Sequence, residues 1–106
     1  MKVAVAIEFN NGENSPVASR FARAPFFAIV DVENKQIRSL NIVSNPHAFG
    51  RGGVGVAVAQ WLASMGVQAA VGPSFGPNAT YALQSLGIKI VMVPPGTPLK
   101  VAVSQV

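Results

Sequence analysis

Three short clusters hold the side chains able to do chemistry. The first is Arg20-Phe21-Ala22-Arg23-Ala24-Pro25. Two guanidiniums three positions apart share a face if this turn is helical. Each offers a planar fork of donors to an anion. The alternative is a solvated basic turn with Phe21 anchoring it in the core. The second cluster is His47 with Phe49-Gly50-Arg51-Gly52-Gly53-Val54-Gly55. Glycines let backbone N–H groups approach a ligand, a following helix N-terminus favours an anion, and Arg51 adds a full positive charge. His47 reads either as a single metal ligand or proton donor, or as a loop histidine bonded to local backbone. The third is Gly76-Pro77-Asn78, a glycine-opened helix start where Asn78 can bond ligand or backbone. Helix capping alone also accounts for its glycine and proline.

What is missing bounds that chemistry further. The 106 residues include no cysteine and one histidine, so disulfides, zinc fingers, thiolate-held clusters and multi-histidine sites within one subunit are excluded. All four acids, Glu8, Glu13, Asp31 and Glu33, lie in the first third, and no acid follows Asn34. Two-metal hydrolysis of nucleic acid needs several carboxylates around two cations, and only Glu8 and Asp31, on adjacent strands, could approach each other. The formal charge of +4 permits weak, salt-sensitive contact with phosphates. Aromatics are few, however, and Lys and Arg are scattered. Gly50-x-Gly52-x-x-Gly55 has the dinucleotide-binding form. It follows a ten-residue loop rather than a tight strand–helix turn and has no acid downstream for a ribose, so dinucleotide binding is not expected.

Half the residues are hydrophobic and 11% are charged, which excludes intrinsic disorder. The length suits one domain. Its opening apolar run is too short for a secretory signal, which makes the cytoplasm the default expectation. The stretch from Gly52 to Ile88 carries no charge, but Gln60, Ser64, Gln68, Asn78 and prolines interrupt it. It is expected to be the interior of an α/β fold and not a membrane span.

These residues need elements to hold them. Val3, Val5 and Ile7 alternate with alanines, as in a strand. Phe26–Asp31 is apolar on both faces and suits a central strand. Glu33-Asn34-Lys35 predicts a hairpin turn, with Asn34 at positive φ. Gln36–Val43 follows as a partly polar edge strand. Val54, Val58, Trp61, Leu62 and Met65 have helical spacing, with Gly66 as cap. Val67–Val71 predicts a strand, and Pro77 starts a helix with Ala79, Ala82, Leu83 and Leu86 facing inward. Ile88–Val93 predicts the last strand. Thr97-Pro98 is positioned to cap a short C-terminal helix through Val103.

Residues 64–73 and 85–94 repeat one pattern of helix end, glycine, buried strand and proline. Two consecutive α/β units imply parallel strands. The result is an α/β protein with elements in the order β-β-β-α-β-α-β, as in a ribonuclease H-like mixed sheet. The glycine loops should meet outside the C-terminal ends of the parallel strands, where such sheets bind ligands. With Arg20, Arg23 and Arg51 they would form an acid-free electropositive pocket suited to a polyanion.

The chain also resembles the dinitrogenase iron-molybdenum cofactor biosynthesis family, the small NifX-type domains, essentially from end to end. Met1–Val5 is similar to the family's first strand, and Arg20–Phe27 to its His-Phe-Gly-Arg-Ala-Pro-Tyr-Phe segment. Asn45-Pro46, His47 and the Gly50–Gly55 run resemble its second loop, and Gly76-Pro77-Asn78-Ala79 its helix start. Arg20 stands where the family has histidine, and Ala22 where it has glycine. The resemblance implies one domain over 1–106, a ribonuclease H-like fold, and a carrier or accessory role instead of catalysis. The cargo would be an anionic iron–sulfur or molybdenum–sulfur cluster, bound without covalent attachment. Arg20, Arg23 and Arg51 would supply charge. Gly52, Gly53, Gly76 and Asn78 would supply donors, and His47 one metal ligand. Cofactor-biosynthesis proteins are the implied partners, and the Gln36–Val43 edge could pair in a homodimer. The other class in view is a nucleic-acid or protein-binding accessory module without catalysis.

Overall fold

The computed structural model describes residues 1–106 and is organised around strand β1 (Lys2–Ile7). β1 pairs antiparallel with β2 (Phe26–Glu33) on one side and parallel with β4 (Ala69–Gly72) on the other. β3 (Gln36–Ser44) is antiparallel to β2, and β5 (Lys89–Met92) is parallel to β4. The sheet order is therefore β3-β2-β1-β4-β5. β2 and β3 are joined by two residues, Asn34 and Lys35, at φ 53° and 63°. Positive φ at both central residues is the geometry whose twist matches a hairpin.

Helices α1 (Val54–Ser64) and α2 (Pro77–Ser85) cover one face of the sheet, and the short α3 (Leu99–Ala102) covers the other. Strand alternation assigns the two faces. Ala4, Ala6, Phe27, Ile29 and Ala70 meet α1 and α2, whereas Val3, Val5, Ile7, Val30 and Val71 pack with Leu99 and Val103. Small alanines on the central strands leave room for Val58, Leu62 and Leu83 from the helices. No helix is long and apolar enough to cross a membrane.

The repeat is two matching helix ends. Val67 N–H donates to Leu62 O and Ile88 N–H to Leu83 O, at 3.2 and 2.9 Å, with Gly66 and Gly87 turning the chain. This is the bonding that closes a helix on a left-handed residue. It uses Val67 and Ile88 as caps, so the strands begin later than expected, at Ala69 and Lys89. The last strand is also not buried: β5 is an edge, and Met92 is 69% exposed. Leu86, expected to face inward, follows the last helical residue and is 45% exposed. Thr97 does not cap α3 with its side chain. Its hydroxyl donates to Pro94 O at 2.7 Å, and Pro98 occupies the capping position.

The segment after β1 differs most from a helical reading. Val17 pairs with Ile7, and Ala18 N–H donates to Ala6 O at 2.9 Å, so the chain doubles back along the end of β1. Phe21–Ala24 is then a tight turn closed by Ala24 N–H to Phe21 O. Glu8 follows the end of β1 while Asp31 pairs with Lys2 at its start. The two acids therefore stand at opposite ends of the strand and cannot share metal ions.

α1 and α2 touch at their first turns. A Cβ added at Gly55 would lie 2.9 Å from Ala79 Cβ and 3.1 Å from its backbone nitrogen. Glycine to alanine within a helix normally adds up to about 1 kcal/mol, but overpacking costs about 1–3 kcal/mol. Gly55→Ala should therefore be less stable than the parent by about 1 kcal/mol. The urea midpoint measures this, and Ala79→Gly in the same chain should recover part of the loss.

Candidate functional site

In the order β3-β2-β1-β4-β5, β1 leads to one half of the sheet and β4 to the other. Adjacent strands that send their chains opposite ways leave a crevice at their C-terminal ends. Three loops meet at this end: 19–25 after β1, 45–53 after β3, and 73–76 after β4.

Two polar side chains stitch the first two loops. Asn45 is buried. Its Nδ2 donates to Ala22 O at 2.8 Å and Ala24 O at 2.9 Å, and its Oδ1 accepts from His47 N–H at 2.9 Å. Arg23 answers from the other loop, Nη1 donating to Ala48 O at 3.2 Å and Gly50 O at 2.9 Å. The third loop is held by aromatic packing, with Phe21 buried and its ring 4.4 Å from Phe75 and 5.3 Å from Phe27.

Two hollows result. One, of about 300 Å³, is walled by Glu8, Ser19, Arg20, Arg23, Ala48 and Phe49 among others. The other, of about 280 Å³, is walled by Arg20, Phe21, Arg23, Ser74, Gly76 and Ala79. The Arg20–Arg23 turn is the ridge between them. Neither arginine, nor Arg51, pairs with a carboxylate; Arg38 alone among the arginines does, with Glu33 at 3.9 Å. The acid-free pocket expected from charge distribution does not hold, because Glu8 stands in the wall of the first hollow.

Both helices begin here without a side-chain cap. Gly53 precedes α1 at φ 64°, Gly76 precedes α2, and neither first turn contains an acid. Each helix N-terminus leaves N–H groups unpaired and carries a partial positive charge. The Gly55–Ala79 contact sets the two ends side by side.

The structure thus places Arg20, Arg23 and Gly76 around one hollow. Arg51, Gly52 and Gly53 are exposed on the approach to α1, and Asn78 is exposed at the second position of α2. None of these four lines either hollow. His47 is half-buried, its ring edge-on to Trp61 with centroids 6.2 Å apart. No group of three His, Cys, Asp or Glu side chains lies together to hold a bare metal ion. Glu8 and Asn45 have site roles that spacing alone does not assign. The signal for Asn45 is an asparagine before proline where a strand ends, and for Glu8 its place just past the C-terminus of a strand at the crevice.

Comparison with known structures places this arrangement in a class. The chain is similar to the apo form of the orange protein from Desulfovibrio gigas, with 32% identity, a TM-score of 0.86, and coverage of 96% of this chain and 82% of the other. It is also similar to a NifB-like protein of the DUF35 family from Thermotoga, with 32% identity, a TM-score of 0.76, and coverage of 96% and 83%. An uncharacterised protein of Methanocaldococcus jannaschii is 34% identical over 90 residues, covering 85% of this chain and 72% of the relative. Residues 1–106 match the dinitrogenase iron-molybdenum cofactor family, and the chain belongs to it. The family is associated with carrier and accessory proteins of iron-molybdenum cofactor biosynthesis.

Removing the Asn45 amide leaves two carbonyls and one N–H without partners in a buried setting. Asn45→Ala should cost about 3 kcal/mol of stability. Denaturant unfolding measures the loss, and amide shifts of residues 22–24 and 47 report loosening of both loops.

Proposed function

We propose that this protein is a non-enzymatic carrier of an anionic metal–sulfur cluster, held between the Arg20–Arg23 turn and the paired helix starts. The observation that carries the reading is a ridge of guanidiniums without carboxylate partners beside the uncapped, acid-free N-terminus of α2, which the equally uncapped N-terminus of α1 touches. A helix N-terminus and an arginine fork each favour anions, and together they suit a ligand bearing several negative charges. With no cysteine in the chain, the cluster keeps its own sulfur ligands and is held by charge and hydrogen bonds. Arg51, Gly52, Gly53 and Asn78 contact it from the rim, and His47 offers one imidazole nitrogen to a cluster metal. Similarity to the orange protein and to a NifB-like protein supports an iron–sulfur or molybdenum–sulfur cargo within cofactor biosynthesis. The sheet order, antiparallel in β1–β3 and parallel in β4 and β5, supports a ribonuclease H-like fold, in one domain over 1–106. The cytoplasm suits this role. The open edge of β3, nine residues long, is the strand through which a homodimer would pair.

Phe49 favours a protein partner at the same mouth. It is 97% exposed while Arg23 fixes the carbonyls on either side of it. A rigidly presented aromatic is the kind of anchor that interfaces use, which suits handover of the cargo.

Anaerobic titration with tetrathiomolybdate should change its visible spectrum on binding. Arg20→Ala and Arg51→Ala should each weaken binding about three- to tenfold, with a shallower dependence on salt. No spectral change at high micromolar protein, or unaltered affinity in both variants, would overturn the carrier reading.

A further inference from the structure

Glu8 is the one acid in the wall of the first hollow, and it faces the same space as Arg20 and Arg23. Its carboxylate does not pair with either guanidinium, since the chain's ion pairs lie elsewhere, at Met1–Asp31 and Arg38–Glu33. Instead Glu8 Oε1 accepts from Ser19 N–H at 3.2 Å, with Ser19 Oγ 3.5 Å away. The backbone holds the two residues in register: Glu8 N–H donates to Pro16 O at 3.0 Å, and Ala18 N–H donates to Ala6 O at 2.9 Å. The fold thus seats an internal carboxylate on a backbone donor of the hollow and leaves Arg20 and Arg23 without a carboxylate partner.

We infer that Glu8 is the affinity-setting residue of the anion site, an internal competitor that keeps bound cargo exchangeable. This rests on the anion-binding reading of the Arg20–Arg23 turn, which walls both hollows. An incoming anion takes the Ser19 donors and the guanidiniums, and the Glu8 side chain turns to solvent, where its charge is hydrated. When the anion leaves, Glu8 returns to Ser19 and that amide regains its acceptor. Both effects favour release, because the carboxylate competes for donors and repels the ligand's charge. The repulsion grows with that charge, so a dianion feels it about twice as much as a monoanion on a logarithmic scale. A carrier needs this property, since a cluster held by several cations and two helix ends would otherwise leave slowly.

Two variants separate the effects. Glu8→Gln removes the charge and keeps an acceptor for Ser19, whereas Glu8→Ala removes both. Both sit on an exposed side chain, and thermal unfolding confirms that they fold. The parent and both variants are titrated anaerobically with tetrathiomolybdate and, separately, with molybdate, following the Ser19 amide by ¹⁵N NMR and release by stopped flow. Glu8→Gln should bind both dianions about three- to tenfold more tightly, mainly through slower release, and Glu8→Ala at least as tightly. Affinities equal to or weaker than the parent in Glu8→Gln overturn the assignment and leave the carrier reading standing if tetrathiomolybdate still binds. Tighter binding of molybdate to Glu8→Gln with no binding of tetrathiomolybdate to any form supports the Glu8 assignment and overturns the carrier reading. Absence of binding by either anion to all three forms overturns both.

Discussion

The site depends on a reciprocal bond between two loops. Asn45 lies in one loop and holds the carbonyls of Ala22 and Ala24, which flank Arg23. Arg23 lies in the other and holds the carbonyls of Ala48 and Gly50, which flank Phe49. An asparagine amide offers two donors and an acceptor, and all three functions are engaged here. No buried side-chain nitrogen or oxygen is left without a partner anywhere in the protein. A fully satisfied polar network of this kind fixes one arrangement, because each alternative strands a buried group. Loops of seven and nine residues that would otherwise move independently are therefore held in a defined geometry.

The rest of the fold accepts small losses to keep this end electropositive. Neither α1 nor α2 has a side-chain cap, although a cap is worth about 1 kcal/mol. Three arginines stand without carboxylate partners around one crevice. Exposure keeps the repulsion among them small, since charges in water are well screened. Stability comes instead from the two faces of the sheet, where β1 is buried on both sides and contributes to both cores. Most of the apolar burial thus lies along the strands, while the polar crevice is built from loops at one end of them.

Local patterns were legible in the sequence, and the repeat implied the parallel pairing of β4 with β5, but other long-range contacts were not legible. Alternation in Val3–Ile7, the Asn34 turn, the helical spacing from Val54 and the proline start of α2 each depend on a few neighbouring residues. The edge position of β3 showed in its polar side chains. The turn at Arg20–Arg23 could pass for a helical one because its two arginines are three apart. The partners of Val17 just before it, Ile7 at the end of β1 and Thr97 near the C-terminus, are distant in sequence. The same holds for β5, whose apolar residues read as buried although no sixth strand covers its edge. Within the site, the arginines and glycines stood out by type. Asn45 and Glu8 did not, because what they do is decided by which carbonyl or amide the fold brings to them.

Every acceptor used by Asn45 and Arg23 to join the loops is a main-chain carbonyl. Any amino acid supplies that atom. The identities of the exposed residues 20, 49 and 51 are therefore almost free of the fold's requirements, while their positions in space are not. Such exposed side chains can be exchanged one at a time without disturbing the bonds that join the loops. Two residues fix the loops, and the side chains exposed around them are open to change.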